Sequence, residues 1–376
     1  MAWIFWLALA FVAYTYIGYP VMVGLLGRRV RRRLTEPGEV KIWPRVCVIV
    51  AAYNEQDRVV AKIQNLKALD YPADRLRIVF VSDGSTDETA RRISDQPGVE
   101  LIAYEPRRGK PYALNQAVAA AGDPEVLVFT DARQALSRDA LRYLVARLVG
   151  EPDVAGVSGE LVHVNPHTQA AAHIGLYWRY EKWIRKAESR LASTVGATGA
   201  LYAIWRRDYT VLPEDTILDD VVIPLQLIRR GRRVVLEERA LVYDELQGQL
   251  AGERRRKVRT ITGNFQAFVR APWLFLPWRN PVFIQFVSHK LFRLFVPYAL
   301  GALLIASLAA EGGVYRGAAL LQAGFYLLSL AGLVVPRWRR YRLISFVLVF
   351  VGLNWAAVMA LGNFLLGHVD ARWEKA

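Results

Sequence analysis

Val126-Leu-Val-Phe-Thr-Asp-Ala-Arg133 is the stretch on which the reading of this chain turns. An unbroken apolar run with β-branched residues fits a strand buried on both faces, as in a parallel sheet. It stops abruptly at Asp131, Ala132 and Arg133. In open α/β sheets, ligands bind beyond the carboxyl ends of the strands, so Asp131 is placed to face a bound ion or phosphate. A carboxylate that only caps a turn is the plainer alternative. Two earlier strands that end the same way weigh against it. Arg45 to Ala52 runs into Tyr53-Asn54-Glu55, and Leu76 to Val81 runs into Ser82-Asp83-Gly84-Ser85-Thr86-Asp87-Glu88.

Helical signals alternate with these strands. Asn54, with Asp57, is suited to cap a helix running to about Leu69. Ser85 and Glu88 have the spacing of a capping box. A short strand near Val99 to Tyr104 leads through Arg107-Arg108-Gly109-Lys110 to a helix over Tyr112 to Ala121. Such alternation predicts a parallel, right-handed α/β sheet. Beyond Leu136 the pattern changes. Helix is expected over Ala140 to Leu148, strand over Val154 to Val164, and an amphipathic helix over Ile174 to Leu191. The glycine turn Gly196-Ala-Thr-Gly199 enters a strand over Ala200 to Trp205. Thr216-Ile-Leu-Asp219-Asp220 opens a helix to Arg230, Val234 to Tyr243 is extended, and Glu253 to Arg270 is a strongly basic helix.

The chain is at once basic and apolar: 376 residues, net charge +15, 53% hydrophobic. That combination points to a membrane protein more than to a soluble nucleic-acid binder. The single cysteine, Cys47, excludes an internal disulfide and a zinc–cysteine cluster; inside a strand pattern it reads as a small core residue. Residues 1–27 contain no charge, enough to cross a bilayer as a helix. Positive charge follows this segment (Arg28, Arg29, Arg31, Arg32 and Arg33) where a signal peptide carries it before, so a retained anchor with a cytoplasmic C-terminal flank is expected. Residues 28–44 then form a basic linker, 45–270 the soluble domain, and 271–293 interfacial segments with Trp273, Phe275, Trp278, Phe283 and Phe286 among prolines. Three further spans lie within residues 294–370: Leu294 to Ala310, Gly317 to Val335 and Leu343 to Gly367. The basic loop Arg337 to Arg342 and the first arginine cluster agree on one topology, with residues 28–283 inside and both termini outside.

The strand ends gather Tyr53, Glu55, Asp83 and Asp131 into what is expected to be a nucleotide-sized cleft. Neither a P-loop nor a dinucleotide fingerprint follows a strand. Carboxylates stand where the glycines would be, which suits a base and ribose held by side chains and a divalent ion on a diphosphate. Val50-Ala-Ala-Tyr-Asn-Glu55, Val81-Ser-Asp-Gly-Ser-Thr-Asp87, Arg108-Gly-Lys110, Thr130-Asp131, Leu218-Asp-Asp220, Arg256-Lys-Val-Arg259 and Ser288-His-Lys-Leu-Phe-Arg293 together resemble the family-2 glycosyltransferases. By motif, the match is nearest to the cellulose-synthase-like, chitin-oligosaccharide and hyaluronan synthases. It covers about residues 45 to 295; each motif is weak alone, but the ordered set is specific.

The resemblance implies an α/β fold of the GT-A (Rossmann-like) type with a mixed sheet, one N-terminal and three C-terminal transmembrane helices. It implies a hexosyl- or N-acetylhexosaminyl-transferase that passes sugar from a nucleotide-sugar donor, expected to be UDP-linked, to a growing polysaccharide. Single-sugar transfer to a lipid-linked acceptor is the alternative. By the same resemblance, Ala51, Tyr53, Glu55 and Asp83 hold the nucleoside and Lys110 lies near the nucleotide or diphosphate. Asp131 binds Mg²⁺ or Mn²⁺. Asp220, beside Asp219, is the general base; an acidic helix N-terminus is the plainer reading of that pair. Two departures stand out. The family's Asp-x-Asp is Asp131-Ala-Arg133 here, and its Gln-x-x-Arg-Trp is Arg256-Lys-Val-Arg259-Thr260, without the tryptophan that marks processive enzymes. Arg133, Arg256 and Arg259 are candidates for the diphosphate or acceptor; for the last two a basic helix on an anionic membrane face fits equally well. Membrane lipids are expected partners and nucleic acid is not. A transporter or channel with a large cytoplasmic domain is the competing class; spans without acids or bases at their centres argue against it. The five histidines, His163, His167, His173, His289 and His368, lack metal-ligand spacing and read as structural or interfacial.

Overall fold

A computed structural model of the chain describes residues 1–30, 34–164, 169–245 and 250–368; Arg31, Arg32, Arg33 and His167 lie outside them. Eight strands are found among the described residues: β1 (Val46–Ala52), β2 (Leu76–Asp83), β3 (Glu100–Tyr104), β4 (Val126–Asp131), β5 (Ala135–Leu136), β6 (Val154–Val164), β7 (Leu201–Trp205) and β8 (Arg233–Glu245). They form one sheet in the order β3-β2-β1-β4-β7-β6-β8-β5. The first four run parallel, as strand–helix alternation predicts. β7 is antiparallel to both β4 and β6, and β8 is parallel to β6 but antiparallel to β5.

β1 explains why the apolar runs are unbroken. Every residue in it is buried. Val46, Val48, Val50 and Ala52 pack with residues of the Val59–Lys67 and Ala140–Gly150 helices. Cys47, Ile49 and Ala51 pack on the opposite face with the Lys110–Ala120, Asp219–Arg229 and Leu250–Arg270 helices. Successive side chains of a strand point to opposite faces, so a sheet covered on both sides needs apolar residues at every position.

Both expected helix caps fail for one reason. The helix after β1 starts at Val59, and the helix after β2 starts at Thr89. Asn54 sits in the left-handed region at φ 53°, and its Oδ1 accepts a hydrogen bond from the Thr86 amide at 2.8 Å. The Ser85 hydroxyl accepts from the Asn54 amide. The two loops therefore bind each other, and Asp87, two residues ahead of Thr89, accepts the amide of that first helical residue at 2.9 Å.

Among the described residues four helices are long and apolar enough to cross a membrane: Ala2–Arg29, Phe283–Ala309, Gly313–Val334 and Arg342–Leu365. The second begins at Phe283 rather than Leu294, so His289, Lys290 and Arg293 belong to it and its first turns are not free of charge. Trp273 and Phe286, expected at an interface, are buried in the domain core; Phe275 and Trp278 are exposed.

The Gln169–Leu191 helix lies directly on the first span. A Cβ at Gly24 would stand 2.3 Å from the Trp183 ring, and one at Gly27 3.0 Å from the Ala187 carbonyl oxygen, so only glycine permits this approach. Polar bonds lock the contact. The Tyr19 hydroxyl donates to Glu188 at 2.5 Å. The His289 ring lies 2.8 Å from Glu188 and 3.0 Å from Glu181, and Arg293 pairs with Glu181. His289 is thus a structural residue, as the absence of metal-ligand spacing suggested. The last span packs on the Leu250–Arg270 helix through Val258, Ala356 and Ala360.

Candidate active site

Parallel register brings the strand ends side by side. Ala51 pairs with Asp131 across β1 and β4, and Asp83 pairs with Tyr104 across β2 and β3. Over these ends opens a cavity of about 930 Å³, in the size range of small-molecule sites. Ala51, Glu55, Lys110, Asp131 and Arg133 line it from the strand side, Asp219 and Asp220 from the start of the Asp219–Arg229 helix, and Arg256 and Arg259 from the long basic helix. Residues far apart in sequence are thereby brought into one chamber.

Lys110 stands at its centre. Its Nζ donates to Asp131 Oδ1 at 2.9 Å and lies 3.2 Å from Asp219 Oδ1. Burial works against its charge, but the Asp131 and Asp219 carboxylates outweigh that and hold it protonated well above the ordinary range. Tyr202 donates its buried hydroxyl to Asp219 Oδ2 at 2.8 Å. Asp219 is therefore held in place from two sides, by Tyr202 and Lys110. Asp220 differs. Burial first, and the neighbouring Asp219 charge second, push its carboxyl up to about 6, with Lys110 opposing. Its Oδ2 lies against the backbone of Gly199, where a Cβ would come within 2.9 Å, and the Ala197 amide donates to its carbonyl at 2.8 Å. Two adjacent carboxylates thus sit in different surroundings, Asp219 held by Tyr202 and Lys110 and Asp220 raised by burial and by its neighbour's charge.

Tyr53 and Asp83 do not line the cavity. Asp83 is fully buried, and its carboxylate accepts the amides of Arg108 at 2.7 Å and Gly109 at 2.9 Å and the Tyr104 hydroxyl at 3.0 Å. It shapes the loop that delivers Lys110. Arg107 lies 3.7 Å over the Tyr53 ring, a stacked pair between the lining residues Ala51 and Glu55 and that loop. Arg133, expected to meet a diphosphate, donates to Asp244 at 2.7 Å, and Arg259 reaches the Ile217 carbonyl at 3.3 Å.

Sequence reasoning missed four contributors. Gly199 gives Asp220 its room. Met359 and Asn363 of the last span line the far end of the cavity, with no local signal to announce them. Lys62 lies under the strand ends; its signal was a lysine on the buried stripe Val59, Lys62, Ile63, Leu66.

Among the described residues no cluster of three or more His, Cys, Asp or Glu could hold a metal ion alone. Mg²⁺ ordinarily keeps several waters and is bound through one or two carboxylates plus substrate phosphates. Asp131, whose side chain is 39% exposed at the cavity wall, fits that shared mode.

Residues 47–210 match the profile described as Glycosyl transferase family 2. That stretch is a family-2 glycosyltransferase domain. The chain is 24% identical over 258 residues to the poly-β-1,6-N-acetyl-D-glucosamine synthase of Staphylococcus aureus, covering 65% of this chain and 60% of that one; it thus spans about three fifths of that relative's length. A β-monoglucosyldiacylglycerol synthase of Synechocystis is 37% identical over 123 residues, 30% of this chain and 24% of the relative. Among solved structures, a mannosyltransferase from Pyrobaculum calidifontis in complex with GDP-Man and Mn²⁺ superposes with a TM-score of 0.73 at 25% identity, covering 97% of this chain and 99% of that one. The transferase domain has the GT-A fold, and its mixed sheet and four apolar helices agree with the expected architecture.

Proposed function

We propose that the chain is a membrane-embedded inverting glycosyltransferase that moves a sugar from a nucleotide-sugar donor, UDP-linked, to a growing polysaccharide. One observation carries this reading: Asp220, half-buried and raised to about 6, shares a cavity with Lys110 and Asp131. In the step, the acceptor hydroxyl oxygen attacks the anomeric carbon from the face opposite the diphosphate. Its proton passes to Asp220, the bond from carbon to diphosphate oxygen breaks, and the configuration inverts. Lys110, with Arg256 and Arg259, offers positive charge to the departing diphosphate. A Mg²⁺ or Mn²⁺ ion held by Asp131 would supply further neutralisation of that leaving group. The catalytic domain lies on the cytoplasmic side, in a bacterial inner membrane, on the basis of the arginine clusters flanking the spans.

A second reading, single-sugar transfer to a lipid-linked acceptor, is favoured by Met359 and Asn363, which put the last membrane-length helix in the wall of the catalytic cavity. The deciding experiment incubates the purified full chain with radiolabelled UDP- and GDP-sugars and membrane extract, then separates lipid-extractable product from polymer. Long product supports the first reading and a single labelled sugar on lipid supports the second. No sugar transfer from any donor would overturn both.

A further inference from the structure

Lys62 sits on the Val59–Lys67 helix, beneath the strand ends, and is 3% exposed. Its ammonium donates to Thr130 Oγ1 at 2.9 Å and to the Gln134 carbonyl at 2.6 Å. These two residues bracket the turn that carries Asp131 and Arg133. Among the described residues no carboxylate pairs with Lys62 directly; burial pushes its ammonium down to about 7, and the nearby Asp131 carboxylate opposes that loss of charge. Thr130 Oγ1 in turn donates to the Ala200 carbonyl at 2.7 Å. A line of hydrogen bonds therefore runs under the cavity floor, from the Asp131 turn to the residue after Gly199, which abuts Asp220.

An ammonium in such a place is costly, because burial penalises an unpaired charge. An apolar residue would complete the stripe of Val59, Ile63 and Leu66 at no such cost. A buried cation is, however, screened far less than a surface one. We propose that Lys62 is a positioning residue for the donor: it pins the Asp131–Gln134 turn from below and lays a buried positive charge behind Asp131, on the side where a diphosphate would bind. This rests on the glycosyltransferase reading above.

The test uses the full chain in detergent. UDP and GDP are titrated by calorimetry, in Mn²⁺ and in EDTA, into wild type, Lys62→Met and Lys62→Gln, alongside thermal unfolding and donor kinetics. Lys62→Met keeps the volume and removes the charge, and is expected to fold with undiminished thermal stability. Its nucleoside-diphosphate affinity should fall about tenfold, as for other residues one layer behind a ligand, in EDTA as well as in Mn²⁺. Donor KM should rise in proportion while kcat changes far less. Lys62→Gln, which keeps a donor without the charge, should move the same way and stands in should the methionine variant not fold. Unchanged affinity and donor KM in a folded variant would overturn the proposal and leave Lys62 a packing residue. Wild type that binds neither nucleotide would instead overturn the glycosyltransferase reading itself.

Discussion

The strand-end half of the site and the membrane-side half are assembled by different physics. Asp131, Ala51 and the Asp83-shaped loop with Lys110 are set by β-register, which repeats from residue to residue along neighbouring strands. Gly199, Asp220, Arg256 and Asn363 come from a turn and three helices that meet only because the chain closes back on itself. The Gln169–Leu191 helix extends this second arrangement to the first span through Gly24, Gly27 and the Tyr19–Glu188 bond. The lesson is that the first half tolerates drift in distant parts of the chain, whereas the second depends on each docking contact.

Four changes would break or sharpen that contrast. The largest effect is expected at Asp220. Asp220→Asn should fold and bind nucleoside diphosphate normally, because the strand-end half is intact, yet lose about 10²–10⁴-fold in transfer. Retained transfer would place the base elsewhere; loss of binding as well would mean that the two halves are not separable. Gly199→Ala comes next. Its added Cβ would crowd the Asp220 carboxylate at 2.9 Å and displace the base by tenths of an ångström, so kcat should drop roughly tenfold with donor KM unmoved; equal loss in both constants would count against a role confined to Asp220.

The third is pH. With the Asp220 carboxyl raised to about 6, its base form is lost as pH falls through that value, so kcat should decline below about pH 6. A carboxyl raised in the folded state favours folding only while protonated, so the same group weakens the fold as pH rises through about 6. A pH–rate profile flat from 5 to 8 would remove Asp220 as base. The smallest effect is expected at the junction. Tyr19→Phe removes one donor to Glu188 and should lower stability by about 1 kcal/mol, measured by thermal unfolding, with kcat preserved; a loss of kcat would couple the junction to the chemistry.

The parallel core, the four apolar segments and the acidic strand ends are legible in the sequence, because two-sided burial and bilayer crossing each demand a long uninterrupted pattern that can be read locally. The pair Asp219-Asp220 is legible there too, but not the difference in their surroundings, since Tyr202 bonds and Lys110 pairs with Asp219. The loop caps were misread because Asn54 and Ser85 bind across two loops, and a capping pattern does not say whether its partner is near in sequence. The helix of the second span continues back to Phe283, where Phe286 is covered by the domain and His289 by glutamates, so residues of interfacial type are buried there. The place of Lys62 at the Asp131 turn and the chamber that Asn363 shares with Asp220 emerge from the packing of the folded chain. Both depend on contacts between segments tens to hundreds of residues apart, and no periodicity within either segment encodes where the other will lie.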